Sequence, residues 1–197
     1  EEKIDRYEDI LGTYLVKLSA CEVTEKDSRE ISQFLQVIGD FERIGDHAEN
    51  ILDSVKELTE KKIRFSEKAE KEIDTISAAV KEIVANTFKA FVDNDIQLAK
   101  KTEPLEQTVD ELQHELKDRH IRRLKEGRCT IELGFIFTEL LTAFERISDH
   151  CSNIAGCVID TAQHNLNTHE LLRATKKGNS DYDRRYAEYA EKYAIAE

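Results

Sequence analysis

Phe41-Glu42-Arg43-Ile44-Gly45-Asp46-His47-Ala48-Glu49-Asn50-Ile51 returns, eight positions in eleven unchanged, as Phe144-Glu145-Arg146-Ile147-Ser148-Asp149-His150-Cys151-Ser152-Asn153-Ile154. The offset is 103 residues in a chain of 197, about half its length, and 44 residues follow Asn153. Two unrelated amphipathic helices do not share identity at that density. The chain therefore reads as a tandem duplication, divided at residues 1–94 and 95–197.

Outward from the repeated stretch, the pattern is helical in both halves. Ile4, Tyr7, Leu11, Tyr14 and Leu18 form an apolar stripe at helical spacing, expected to face a core. Thr24 followed by Asp27 suits a helix N-cap with an acidic residue at N3. The helix it opens carries Ile31, Phe34, Ile38, Phe41, Ala48, Leu52 and Val55 on its expected inner face, and a polar stretch at Glu60–Lys62 ends it. Ser66 caps a third helix with Ala69, Ile73, Ile76, Val80, Ile83 and Val84 inward, stopped by Asp93-Asn94-Asp95. In the second half, Pro104 disfavours helical geometry at Glu103, so a helix begins or kinks there. It continues through Leu105, Leu112 and Leu116 to Gly127. Ile131 to Val158 forms the long helix of the second motif. A third helix is broken at Lys176-Lys177-Gly178-Asn179-Ser180, and beyond the break Tyr182, Tyr186, Tyr189 and Tyr193 share one face, read as a docking surface. Short loops between long helices favour antiparallel neighbours. The expected fold is all-α: six long helices, a duplicated antiparallel three-helix bundle.

Composition agrees. One proline and seven glycines leave long helices intact, and 40% hydrophobic residues suffice for a core. The net charge of −12 comes with no basic stripe, which disfavours nucleic acid as a partner and favours cations. The four cysteines, Cys21, Cys129, Cys151 and Cys157, include no Cys-x-x-Cys pair; they read as free thiols in a reducing cytosol rather than a zinc knuckle. No signal peptide or membrane-spanning run is apparent. The chain contains no methionine, not even at its start, which reads as a piece of a longer polypeptide.

Residues four apart in a helix lie on one face. Glu42 and Asp46 project together, with Asn50 continuing the row, and Glu145, Asp149 and Asn153 repeat it. The first helix of each half adds a matching pair, Asp5 with Asp9 and Glu106 with Asp110, at an offset of 101. Two carboxylates about 5 Å apart repel by about 3 kcal/mol at an effective dielectric of about 20. Near an apolar core such rows must be paired, protonated or metal-bound, and oxygen-ligated cations relieve them. Any single pair could be a salt-bridged surface. The recurrence of both pairs in both halves favours metal, with Asp5, Asp9, Glu42, Asp46, Asn50, Glu106, Asp110, Glu145, Asp149 and Asn153 as candidate ligands. His47 and His150 sit about 100° round the helix from the aspartates, a position for structural hydrogen bonding rather than ligation. Arg43 and Arg146 read as partners of neighbouring carboxylates. Gly45 and Ser148, small at equivalent positions, suit close approach of another helix.

At these residues the sequence resembles the PhoU family, over nearly the whole chain and most specifically at Glu42–Ile51. The resemblance implies a duplicated three-helix bundle whose Glu/Asp-x-x-x-Asp motifs are here Asp5–Asp9, Glu42–Asp46, Glu106–Asp110 and Glu145–Asp149; Asp5 stands where the strict motif has Glu. It further implies bound divalent or trivalent metal ions, iron first, with zinc, manganese and magnesium as alternatives. The implied role is regulation of phosphate uptake. The implied partners are a phosphate transporter's membrane domain, in the same chain or separate, a sensor kinase, and a second copy of the chain as a homodimer. The place would be the cytoplasmic face, membrane-associated if fused. The broken third helix and the terminal Tyr-x-x-Lys-Tyr look similar to PhoU-like domains of bacterial sodium/phosphate cotransporters. A stand-alone regulator linking transporter and kinase is the alternative. A di-iron carboxylate enzyme would want duplicated Glu-x-x-His pairs, and Glu111–His114 has no duplicate; no P-loop or Gly-x-Ser-x-Gly motif occurs, so no catalysis is expected.

Overall fold

The computed structural model describes residues 2–163 and 180–195, and all regular structure among them is helical. The helices are α1 (Glu2–Ser19), α2 (Glu25–Lys61), α3 (Glu67–Asp93), the single turn α4 (Ile96–Ala99), α5 (Thr102–Lys125), α6 (Ile131–Gln163) and α7 (Ser180–Lys192). Six long helices match the expected duplicated bundle. The break expected over Lys176–Asn179 lies outside the described residues.

Local chemistry sets the boundaries. Thr24 accepts from the Asp27 N–H while Asp27 accepts from the Thr24 N–H, a complete capping box. Lys62 and Asn94 close α2 and α3 in the left-handed conformation (φ 54° and 51°). Ser66 caps α3 through the Ala69 N–H. Pro104 falls in the first turn of α5, where its missing N–H has no intrahelical partner to lose. Gly127, at φ 66°, turns the chain from α5 towards α6.

The core lies around α6. This helix packs against α2, α3 and α5, and buries Phe137, Leu141, Phe144, Ile147 and Ile154. Leu105, Val109 and Leu116 of α5 and Ile76, Val80 and Ile83 of α3 meet them. The hydrophobic packing thus crosses the midpoint of the chain. The tyrosine face of α7 docks as expected: Tyr193 is buried, Tyr189 packs beside it, and the hydroxyls of Tyr186 and Tyr193 bond Glu111 and Glu82.

One expectation is overturned. The stripe on α1 does not face a core: α1 buries no residue, and Tyr7 and Tyr14 are more than 60% exposed. On α2, Phe34, Leu52 and Val55 are exposed as well; Ile31 is buried as expected, and the rest of the buried face carries Val37, Asp40, Ile44 and Ser54. The cause is helix placement. The third helix of the first half, α3, packs on α5 and α6 of the second, leaving α1 laid along α2.

Candidate metal centre

The first acidic cluster forms where α1 meets α2. A Cβ on Gly45 would stand 2.9 Å from the Ile4 Cδ1, so the two helices approach closely at this turn. The contact sets Asp5 of α1 beside Glu42 and Asp46, one helical turn apart on α2. One carboxylate oxygen from each of the three lies within 4.8 Å of the others. Asp5 is exposed and its two partners are half-buried. Burial, then the Asp46 charge, pushes the Glu42 carboxyl above its ordinary value, and Glu8 and Asp5 add to the effect. Glu8 was not singled out in the sequence because its position has no acidic counterpart: residue 109, at the same offset of 101, is Val.

The second cluster joins Glu106 and Asp110 of α5 to Asp149 of α6 within the same 4.8 Å, all three half-buried. Asp149 is pushed up to about 6, first by burial, then by the charges of Glu145 and Asp110. Arg146 opposes this shift from 3.4 Å, and also lies 3.5 Å from Glu145. The two clusters are not copies. They share the equivalent positions Asp5/Glu106 and Asp46/Asp149; the first adds Glu42 of its long helix, the second Asp110 of its shorter one. Asp9 and Glu145, the counterparts of those two added ligands, stand outside the clustered triads.

The asparagines and histidines lead elsewhere. His150 Nδ1 lies 2.8 Å from Asp40 Oδ1, which also accepts from Asn153 Nδ2 at 3.2 Å, in the buried contact between α2 and α6. His47 stacks on His150 with ring centroids 5.7 Å apart. Asn50 and His47 line a cleft of about 440 Å³ between the same helices. These residues join the two halves of the duplication to one another. Asp40, a residue the sequence reading passed over, organises the contact. Its repeat counterpart is Ala143, so the duplication gave no sign of it.

The donor chemistry fits a cation. Each triad offers only carboxylate oxygens, from two helices, and burial first, then the neighbouring negative charges, raises the Glu42 and Asp149 carboxyls. Such a set suits hard or borderline ions. Bound there, an ion would neutralise the triad and tie Asp5 to α2, or Asp149 to α5. The one Glu-x-x-His spacing is committed to structure. Glu111 receives the Tyr186 hydroxyl, and His114 Nδ1 sits 2.8 Å from the Asp110 carbonyl. All four cysteines are free, and burial pushes Cys151 up to about 12, which makes it inert. No helix among the described residues is long and apolar enough to cross a membrane.

Comparison with known proteins agrees with this architecture. Residues 1–55 and 73–158 match the family model of the PhoU domain. The phosphate-specific transport system accessory protein PhoU homolog 1 of Thermotoga maritima is 30% identical over 158 residues, covering 80% of this chain and 67% of that protein. The homologue of the same description in Aquifex aeolicus is 31% identical over 147 residues, covering 75% and 65%. The chain thus spans about two thirds of the length of these relatives. The crystal structure of PhoU from Pseudomonas aeruginosa superposes with a TM-score of 0.76 at 25% identity, covering 83% of this chain and 78% of that one.

Proposed function

Since the chain belongs to the PhoU family, whose members regulate rather than catalyse, we propose that it is an accessory regulator of phosphate transport that takes up metal ions in its two carboxylate triads. The observation that carries the metal reading is the pair of triads. Each is drawn from the same two motif helices of its repeat, and each holds a carboxyl pushed above its ordinary range. Iron leads among the candidate ions, with manganese, magnesium and zinc behind it. Asp5, Glu42 and Asp46 would hold one site and Glu106, Asp110 and Asp149 the other. Asp9 and Glu145, each one turn from a triad residue on the same helix, are positioned to complete a larger site. The division into repeats at residues 94 and 95 follows the duplication, although the core crosses it.

The relatives named above are accessory proteins of phosphate-specific transport systems. That supports a regulator acting on a separate transporter, and through it on a sensor kinase, over one joined to a cotransporter's membrane part. The coding sequence upstream of Glu1 separates the two. Several apolar segments of about 20 residues there would indicate the fused form.

Metal content and melting curves test the sites. Divalent iron or manganese should raise the melting temperature by mass action, and a chelator should reverse the rise. Replacing Glu42 and Asp46 by Ala should remove metal from the first triad while the second keeps its own. Equal metal content in the wild type and in a variant lacking Glu42, Asp46, Asp110 and Asp149 would falsify the assignment.

A further inference from the structure

At the far end of α5 a second polar site is built with the opposite sign of charge. A cavity of about 240 Å³ lies between the start of α3, the end of α5 and the start of α6. Arg64, Arg123 and Arg128 line it together with His120 and Ser66, and no carboxylate does. That is notable in a chain with 41 acidic and 29 basic residues. Arg123 is 9% exposed and His120 4%. Arg123 Nη1 is held by buried Glu72 at 2.7 Å, and the guanidinium lies over the Phe137 ring at 5.3 Å. This fixes the fork in place. Its Nη2 is buried and meets no acceptor, and the same holds for His120 Nε2, whose ring stacks on Phe137 and lies against Gly134. A buried polar atom without a partner is costly, and here two of them belong to residues that line one cavity. Arg64 is exposed and makes no ion pair among the described residues. Ser66 is the N-cap of α3, so the positive end of a 27-residue helix opens beside the same space.

From these observations we infer that the cavity binds a phosphate group, as the free anion or as a monoester. Arg123 Nη2 and the imidazole of His120 serve as its buried donors, and Arg64 and Arg128 close over it from the rim. A guanidinium already anchored on one side presents its remaining N–H groups without further ordering, which favours an oxyanion over a monovalent halide. The site is drawn from both halves of the chain and is not repeated by the duplication. At the offset of 101, His120 and Arg123 correspond to Ser19 and Glu22. Arg64, Ser66 and Glu72 also lie in the stretch between the two segments that match the family model. The inference does not rest on the metal reading.

The test is a titration of the full chain with inorganic phosphate, followed by phosphorus NMR and calorimetry. A chelator is present and ionic strength is held constant with sodium chloride. Saturable binding is expected. It should weaken at least tenfold in Arg64→Ala/Arg128→Ala, both exposed positions whose loss leaves the core alone. It should weaken similarly in Arg123→Lys, which keeps a cation beside Glu72 but removes the second nitrogen, and in Cys129→Glu, which places a carboxylate on the wall. Circular dichroism melts would show that each variant folds. The variant lacking Glu42, Asp46, Asp110 and Asp149 should bind phosphate as the wild type does, which separates this site from phosphate held by metal. O-phosphoserine run in parallel identifies the source: tighter binding than phosphate assigns a monoester, weaker binding the free anion. A wild type that responds to phosphate no more than to chloride would overturn the inference, and so would folded Arg123→Lys and Cys129→Glu variants that bind undiminished.

Discussion

Asp40 joins two partners on one carboxylate oxygen, the buried imidazole of His150 and the half-buried amide of Asn153. Asp40→Ala would leave the buried His150 Nδ1 unpaired, and such loss typically costs about 1–3 kcal/mol. A urea-unfolding cycle with His150→Leu should show a coupling above about 0.5 kcal/mol; additive effects would mean that the contact contributes nothing of its own. Asp149 makes a prediction about pH. Its carboxyl is pushed up from 3.8 to about 6. A carboxyl raised in the fold favours folding while protonated, so this contribution is full below about 4 and is lost as pH rises through about 6. In chelator, Asp149→Asn should therefore gain stability relative to the wild type between pH 4 and pH 7. A difference that stays flat over that range would contradict the shift. The acidic rows were legible in the sequence because the duplication printed them twice. Asp40, Arg123 and His120 were not, because each acts once: Ala143, Glu22 and Ser19 stand at the equivalent positions.

At the level of the helix, the close approach of α1 to α2 depends on the missing side chain of Gly45, since a Cβ there already meets the flexible end of Ile4 at 2.9 Å. Gly45→Ala should be tolerated by a small shift of Ile4. Gly45→Leu should push α1 away, and with it Asp5, so that the first triad loses metal while the second keeps it. Elemental analysis of the two variants checks this, and full metal content in Gly45→Leu would show that the contact does not assemble the site. Helix boundaries were readable because they rest on local chemistry, such as the capping box of Thr24 and Asp27 or the left-handed Asn94. Which stripe finds a cover was not readable. The stripes of α1 and α5 have the same spacing, yet α5 is packed by α3, α6 and α7, whereas α1 lies along α2. Periodicity reports that a face is apolar; which helix arrives to bury it depends on how the chain crosses from one half to the other.

Across the described residues, α6 is the element on which α2, α3, α4 and α5 pack, whereas α1 lies along α2 alone and buries no residue. Opening a helix that buries no residue exposes little new surface, so its free energy should lie far below that of global unfolding. Backbone amide exchange should accordingly be far faster in α1 than in α6. Asp5, though, belongs to the first triad, and an ion shared between Asp5 and α2 would have to be released before α1 could open. Metal should then slow exchange in α1 far more than in α5, which the core already protects. An α1 whose deuterium uptake ignores metal would separate it from the first triad. If the coupling holds, the N-terminal helix is a latch: ordered against the body when the ion is present, and freed, with its exposed tyrosines, when the ion leaves.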